Sequence, residues 1–185
     1  MEEYIQDKTF EREIQLLKSE YENCRFLNCD FSNHDFSYYK FIECTFQSCN
    51  LSLLKCHQTS LRDVKFINSK MLGFRFDTCH EFGLSISFQS CLLNHSSFYK
   101  TNIKKTSFKD SQLEEVDFVQ CNLSGSLFDN CNLMLSVFDQ SNLEKVDFRT
   151  SYNYSMNPEN NKIKGAKFSA SGLQGLLLKY NIVIE

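Results

Sequence analysis

The stretch VDFVQ CNLSG SLFDN CNLML SVFDQ SNLEK VDFRT, residues 116–150, consists of seven groups of five residues, each centred on a large apolar residue. The central residue alternates between Phe and Leu throughout this stretch. A helix repeats every 3.6 residues and a strand every two, so a period of five fits neither element. A chain that turns a corner after every five residues does fit. Four such sides close a square coil of about 20 residues whose central side chains point inward.

The same period runs in both directions from this stretch, in two phases. The first phase, in which 11 of 13 central residues are large and apolar, comprises Phe26, Phe31, Phe36, Phe41, Phe46, Leu51, Cys56, Leu61, Phe66, Met71, Phe76, Glu81 and Ile86. The second, in which all 13 are apolar, comprises Phe88, Leu93, Phe98, Ile103, Phe108, Leu113, Phe118, Leu123, Phe128, Leu133, Phe138, Leu143 and Phe148. The change of phase requires two extra residues, or three missing ones, near 79–93. It predicts a bulge, kink or small loop there, with Glu81 in a core slot.

The positions around each central residue complete the pattern. The residue two places earlier is small or apolar, as at Cys24, Cys44, Ser126 and Val146, which indicates a second inward slot. The residue between the two is often Asp or Asn, whose short side chain can accept hydrogen bonds from turn N–H groups. With four sides per coil, Phe88, Phe108, Phe128 and Phe148 should form one column. Three further columns follow in the same way: Phe98, Phe118 and Phe138; Leu93, Leu113 and Leu133; and Ile103, Leu123 and Leu143.

Segments such as CDFSN (29–33), CNLSG (121–125), SNLEK (141–145) and VDFRT (146–150) resemble the A(D/N)LXX pattern of the pentapeptide-repeat family. The resemblance covers roughly residues 19–168 and implies an all-β fold, the right-handed quadrilateral β-helix. About 7.5 coils at ~4.8 Å each would make a rod roughly 36 Å long.

Both ends of such a rod need caps, because the terminal coils expose core and unpaired strand edges. Residues 1–18 are interpreted as an N-terminal cap or imperfect first coil. Ile14 and Leu16 are in phase with the repeat, but Phe10, Ile14 and Leu17 also fit one face of a short helix. Residues 169–185 predict a helix, capped by Ser169 or Ser171, followed by a short strand over residues 182–184.

The C-terminal segment also favours a symmetric dimer, since its apolar stripe and strand exceed what a plug needs. The predicted dimer interface comprises Leu173, Leu176, Leu177, Tyr180, Ile182 and Ile184. Residues 157–168, NPENNKIKGAKF, together with this helix and the NIVIE end, resemble the C-terminus of quinolone-resistance (Qnr-type) pentapeptide-repeat proteins. That resemblance implies tail-to-tail dimers that bind DNA gyrase and topoisomerase IV through an acidic rod imitating duplex DNA. Gram-negative Qnr-type members carry two long loops; here the first site is uninterrupted (CTFQSCNLS, 44–52), and the second has at most the short irregularity near 80–93.

Two functions follow as hypotheses. The first is a topoisomerase-binding DNA mimic that confers quinolone tolerance, in which rows of carboxylates replace phosphates. The residues predicted to carry it are Asp110, Glu114, Glu115, Asp117, Asp129, Asp139 and Glu144. The second is a structural scaffold or interaction module with an unidentified protein partner. A continuous negative stripe on one rod face favours the first, and a mixed surface or exposed apolar patch favours the second.

Composition and sequence argue against several other classes of function. The formal net charge of −3 does not favour direct binding to nucleic acid, and no apolar run reaches the roughly 20 residues that span a bilayer. With no signal-like start, the chain is expected to be cytoplasmic. Eight of the nine cysteines occupy the small inward slot and Cys56 a central one, so neither metal binding nor a disulfide framework is expected. A filled prism lacks a concave catalytic pocket, and no enzyme activity or cofactor is expected.

Overall fold

The computed structural model describes residues 3–183, which form a square β-solenoid ending in a short helical segment. The strands are β1 (Glu3–Gln6), β2 (Thr9–Glu11), β3 (Ser19–Glu22), β4 (Arg25–Leu27), β5 (Lys40–Ile42), β6 (Thr45–Gln47), β7 (Ser60–Arg62), β8 (Val64–Ile67), β9 (Ile86–Gln89), β10 (Ser107–Lys109) and β11 (Leu127–Asp129). They form two parallel sheets, one of seven strands in the order β11-β10-β9-β8-β6-β4-β2 and one of four in the order β1-β3-β5-β7. A 3-10 turn lies at Phe76–Thr78.

The four faces of the rod are named here in chain order by their central residues. Face 1 contains the seven-stranded sheet and Phe108, face 2 contains Leu113, face 3 contains Phe118, and face 4 contains the four-stranded sheet and Leu123. The central residues are buried along each of these faces, and the four predicted columns are confirmed. The all-β solenoid with one short C-terminal helix is therefore the observed fold.

Face 1 holds a continuous stack of phenylalanine rings, with centroid separations of 4.5–5.5 Å and interplanar angles of 4–16° between neighbours. The stack comprises Phe10, Phe26, Phe46, Phe66, Phe88, Phe108, Phe128, Phe148 and Phe168. Rings of face 3 meet it edge to face, as Phe118 does with Phe108 at 6.0 Å and Phe128 at 5.8 Å. Stacked and edge-to-face contacts are the geometries that aromatic pairs prefer. The rings therefore fill the core and fix one another's orientation.

Small inward residues link successive coils. The Ser141 hydroxyl donates to the Phe118 carbonyl at 2.6 Å and the Ser151 hydroxyl donates to the Phe128 carbonyl at 2.8 Å. Thiols take the same position, as Cys49 does towards the Phe26 carbonyl at 3.3 Å. Where the slot holds Ser or Cys, its donor keeps a buried carbonyl satisfied, whereas Val64, Val116 and Val146 fill it by packing alone.

The Asp and Asn positions also act as predicted. The Asp117 carboxylate accepts the Val119 N–H at 2.8 Å, and the Asp35 carboxylate accepts the Ser37 N–H at 2.9 Å. Two residues after the centre, the backbone commonly takes a positive φ, for example 48° at Asn23. Most corners therefore contain one left-handed residue, and many of the turns are capped by an Asp or Asn side chain.

The change of phase is a bulge formed by two extra residues. Phe66 pairs with Phe88, 22 positions later, whereas Phe46 pairs with Phe66 after 20. The His80 N–H still bonds to the Thr59 carbonyl at 3.0 Å, so the insertion lies in residues 81–84.

Within the bulge, the expectation that Glu81 occupies a core slot is wrong. Glu81 is exposed, and Leu84 packs against the core in its place. An unpaired buried carboxylate is costly, and the extra length lets the chain turn it outward.

The N-terminal segment is a shortened coil, not a helix. Ile5 pairs with Tyr21 and Phe10 with Phe26, so this coil has 16 residues. Leu16 is buried as expected, but Ile14 is 69% exposed, because the coil lacks the residues that would bring it inward.

The C-terminal helical segment runs through a 3-10 turn at Ser171–Leu173, helix α1 (Gln174–Leu177) and a 3-10 turn at Leu178–Tyr180. The Ser169 hydroxyl accepts the Gly172 N–H at 3.1 Å, in agreement with the predicted cap. The predicted strand is absent at residues 182 and 183, and Ile184 lies outside the described residues. A strand is stabilised by hydrogen bonds to a neighbouring strand edge, and the described residues offer none to this segment.

Candidate partner-binding surfaces

The seven predicted acidic residues do not share one face of the rod. Asp110 and Asp129 belong to face 1, Glu114 and Glu115 to face 2, Asp117 and Asp139 to face 3, and Glu144 to face 4. They lie close together in sequence, but consecutive sides of a coil point in directions about 90° apart. What the residues form is a partial belt around neighbouring coils.

Three of the seven flank the edge between faces 2 and 3, and a fourth lies further across face 3. Glu114 and Glu115 end their side of face 2, Asp117 begins the next side on face 3, and Asp139 lies one coil further along, beyond the central residue of face 3. Glu159 continues face 3 beyond Asp139. We call the group Glu114, Glu115, Asp117 and Asp139 the acidic edge.

Neutral donors hold most of the acidic edge in place. The Glu114 carboxylate accepts hydrogen bonds from the Asn132 amide at 2.7 Å and from the Asn94 amide at 3.2 Å. The Asp139 carboxylate accepts one from the Asn160 amide at 2.9 Å. Amide donors orient a carboxylate without cancelling its charge, so this edge keeps a negative field.

Basic neighbours offset some charges elsewhere. His95 lies 3.3 Å from Glu115, a contact that is an ion pair only when the imidazole is protonated. On face 1, hydrogen bonds from the Arg149 guanidinium hold the pKa of Asp147 below its usual range, with an N–O distance of 2.8 Å. The faces therefore differ in how far their carboxylates are neutralised.

Sequence reasoning missed a second group of carboxylates on face 4. Glu20, Glu22, Glu43 and Asp63 are far apart in the chain but lie on successive coils. Their spacing of about 20 residues is the signal that could have grouped them.

The C-terminal segment docks on the last coil through glycines. A Cβ added at Gly172 would lie 1.7 Å from Tyr154 Oη, and one added at Gly175 would lie 2.0 Å from the Tyr154 carbonyl oxygen. The Met156 N–H donates to the Gly175 carbonyl at 3.1 Å. The backbone of the helical segment therefore packs directly against the coil.

The predicted dimer residues divide into two groups. Leu176 packs against the core and acts as a plug, and Leu177 is partly buried. Leu173, Tyr180 and Ile182 are exposed at 47%, 51% and 57%. The Tyr180 hydroxyl donates to the Glu159 carboxylate at 2.9 Å, and Lys179 pairs with the same carboxylate at 2.6 Å.

An apolar-rimmed groove of about 510 Å³ lies between this segment and the rod. Met134, Tyr152 and Leu178 contribute exposed apolar surface to it. A second groove of about 410 Å³ borders the bulge.

The thiols are buried, and all nine are free. Burial raises the pKa of Cys44, Cys49 and Cys131 to about 12. Within residues 3–183, no group of three or more His, Cys, Asp or Glu side chains could hold a metal ion. Nor does that part of the chain contain a helix long and apolar enough to cross a membrane.

Comparison with known proteins gives the following. Residues 84–157 match the family model described as "Pentapeptide repeat region". No curated protein matches the sequence. A trypsin-treated QnrB1 variant, described as a plasmid-mediated fluoroquinolone resistance protein, is 19% identical with a TM-score of 0.66, over 98% of this chain and 97% of that chain. Full-length QnrB1 is 17% identical with a TM-score of 0.66, over 97% of this chain and 100% of that chain. The chain therefore carries a pentapeptide-repeat region at residues 84–157 and has, along its described length, the fold of a pentapeptide-repeat protein.

Proposed function

We propose that this protein is a non-enzymatic interaction protein that binds a type II topoisomerase, DNA gyrase or topoisomerase IV, by imitating duplex DNA, and so confers quinolone tolerance. The observation that carries the proposal is the likeness of fold to QnrB1 over almost the whole of both chains. Nearly complete coverage in both directions means that the two chains share this fold along almost their whole lengths.

The dimensions of the rod suit DNA mimicry. Eight coil spacings separate Phe10 from Phe168, or roughly 38 Å at ~4.8 Å each. One turn of B-DNA is about 34–36 Å long. A single rod therefore presents the length of about one helical turn to a basic groove.

We assign the phosphate-like role to the acidic edge. Its side chains project from two adjacent faces, as phosphates do on either side of a groove, and amide donors leave them charged. Asp110, Asp129 and Glu144 lie on other parts of the rod and are expected to contribute less.

A dimer through the C-terminal segment is part of this proposal. Its exposed residues are Leu173, Leu178, Tyr180 and Ile182. Leu178→Asp is the appropriate test, because Leu178 is 64% exposed and its loss leaves the Leu176 plug intact. We expect light scattering to give a dimer for the wild type and a monomer for Leu178→Asp, with unchanged circular dichroism. A wild-type monomer contradicts the dimer.

The deciding experiment is a supercoiling assay with gyrase, with and without a quinolone, in which this protein is titrated. The edge variant combines Glu115→Gln, Asp117→Asn and Asp139→Asn, which keep an acceptor oxygen at each position, including the one at residue 117 that caps a turn. The matched control combines Asp110→Asn, Asp129→Asn and Glu144→Gln and changes the net charge equally.

We expect rescue or inhibition by the wild type at micromolar concentration or lower. The edge variant should act at least tenfold more weakly, with the control within about twofold of the wild type. No effect of the wild type refutes topoisomerase binding. Equal losses in both variants refute the assignment to the acidic edge.

A second candidate function is a scaffold for another protein partner. The exposed apolar residues around the 510 Å³ groove favour it, since such surface commonly marks protein contacts. Wild-type protein that leaves gyrase unaffected while Met134→Ser abolishes capture of a partner would support this function.

A further inference from the structure

Face 4 is divided into an acidic half and a basic half. From β1 to the bulge, its outward residues include the six carboxylates Asp7, Glu20, Glu22, Glu43, Asp63 and Glu81, against the two cations Lys40 and Arg62. Beyond the bulge, they include the five lysines Lys104, Lys105, Lys145, Lys162 and Lys164, against the one carboxylate Glu144. Among the described residues, faces 1 and 2 are not divided into an acidic and a basic half. Face 3 ends in the acidic residues Asp117, Asp139 and Glu159, but its earlier coils mix both signs.

The corner between faces 4 and 1 shows the division in one column. Its residues in successive coils are Asp7, Asn23, Glu43, Asp63, Ser85, Lys105, Gly125, Lys145 and Gly165. The stems of Lys105 and Lys145 extend over the glycine corners next to them, since a Cβ built at Gly125 or Gly165 would lie 3.6 or 3.4 Å from the lysine Cγ. Positive charge therefore lines this corner in one half of the rod only.

The lysines of the basic half are available for a partner. Lys104, Lys105, Lys145, Lys162 and Lys164 are all exposed, and within residues 3–183 their side chains make no hydrogen bond or ion pair. On the acidic half, Glu43 and Glu81 are likewise exposed. Glu20 and Glu22 are half-buried; the Glu20 carboxylate pairs with Lys40 at 3.2 Å and the Glu22 carboxylate accepts the Tyr4 hydroxyl at 2.6 Å, which orients both carboxylates on this face. Charges of both signs on one flat face suit a partner surface with the reverse arrangement.

We propose that face 4 binds a second copy of this chain, face to face and antiparallel. The two-fold axis lies across the rod, midway between the bulge and the coil of Lys105. Each coil of one copy then faces, in the other copy, the coil that lies at the same distance from the axis on its opposite side.

This register brings opposite charges together. Glu20 faces Lys162, Glu22 faces Lys164, and Glu43 faces Lys145, because each pair occupies the same column at mirror-related coils. No like charges face each other directly. The two-fold axis repeats the three pairs, so six ion pairs span roughly 34 Å of rod.

The bulge lies beside the axis in this arrangement. Phe82 is 70% exposed, and its ring lies 5.6 Å from the Arg62 guanidinium carbon. It would approach Lys104 of the other copy, where a second cation–π contact can form. Small residues in the neighbouring coil, Asn122, Ser124 and Gly125, leave room for the protruding loop.

The association should be weak and sensitive to salt. Exposed ion pairs contribute little individually, and one face of a narrow rod is a small, polar interface. Salt screens such charges over about 10 Å at 0.1 M, so dimerisation should be strongest at low ionic strength.

The experiment uses two charge-reversed variants of the full chain. The acidic variant carries Lys145→Glu, Lys162→Glu and Lys164→Glu, and the basic variant carries Glu20→Lys, Glu22→Lys and Glu43→Lys. Every sample, including the reference, also carries Leu178→Asp, which removes the C-terminal interface proposed above.

Sedimentation equilibrium at about 20 mM salt is expected to show self-association of the reference, weakened at least tenfold at about 500 mM. Each variant alone should associate at least tenfold more weakly than the reference, and an equimolar mixture should recover association. Scattering from the mixture should give a particle about one rod long.

Three outcomes overturn the proposal: a reference that stays monomeric at low salt, a mixture that associates no better than either variant alone, or a particle about two rods long. Circular dichroism of each variant confirms folding. Because the mixture repairs the loss, a variant that merely misfolds is distinguished from one that repels itself.

Discussion

Truncation of one ring in the face 1 stack tests how the core holds the rod together. Phe108 is fully buried, with stacked neighbours at 5.0 Å (Phe88) and 4.6 Å (Phe128) and edge contacts to Phe98 and Phe118. Phe108→Ala removes the ring and leaves a cavity that four rigid neighbours cannot close. We expect a loss of about 3–5 kcal/mol in the free energy of unfolding. For a chain of this size that lowers Tm by roughly 10 °C.

The matched control is Phe168→Ala at the end of the same stack. Phe168 is only partly buried and stacks on one ring of the column, Phe148, at 5.5 Å. A loss of about 1–2 kcal/mol is expected there. Urea unfolding followed by far-UV circular dichroism measures both. A loss below about 1.5 kcal/mol for Phe108→Ala, or equal losses in the two variants, would refute the idea that the stack is the main source of stability.

Three further predictions concern the cap, the bulge and the thiols. Gly175→Ala should release the C-terminal helical segment, detected as faster amide exchange over residues 171–180, because its Cβ would lie 2.0 Å from a backbone oxygen; unchanged exchange contradicts close docking. Deleting Glu81 and Gly83 together restores a 20-residue coil with Phe82 at its centre and should keep or raise the free energy of unfolding. Deleting Phe82 and Gly83 instead places Glu81 at the centre of the coil and should lower the free energy of unfolding by at least about 2 kcal/mol. The same free energy for both deletions would show that the central position does not select against a carboxylate. Because burial raises the pKa of Cys44 from 9.0 to about 12, the unfolded chain loses this proton first, so stability should be complete below about pH 9 and fall towards pH 12; urea midpoints that stay constant over this range contradict the burial of the thiols.

The repeat core was predictable because each slot has one dominant requirement. A central residue must fill the prism, so Phe and Leu return every five positions, and columns follow once four sides are assumed. The change of phase was visible for the same reason. Whether it arises from an insertion or a deletion was not visible, because two inserted residues and three deleted ones shift a five-residue period identically. Hydrogen bonds from His80 and Ser85 to the previous coil identify the insertion.

The candidate surfaces were less predictable because they depend on columns and not on neighbours in sequence. Asp117 and Asp129 are close in the chain but lie on different faces. Glu43 and Lys145 share a corner column although about five coils separate them. The C-terminal segment was predicted as a cap from its leucines, but its close backbone contact with the last coil was not, since that signal lay in Gly172 and Gly175. Ile14 shows the remaining limit: a residue in phase with the repeat can still point outward when its coil is short.

The bulge has a consequence for how chains of this kind diverge. Two residues were added at residues 81–84, yet the phenylalanine stack continues through Phe66, Phe88 and Phe108 without a gap. The first coil, four residues shorter, joins the same stack at Phe10. Insertions and deletions within a single side therefore cost little, because a longer surface loop adds only slowly to closure entropy. Substitutions in the core columns are costly by comparison. Related sequences should accumulate length changes within single sides, and an alignment that enforces a fixed period will misplace every residue beyond the first such change.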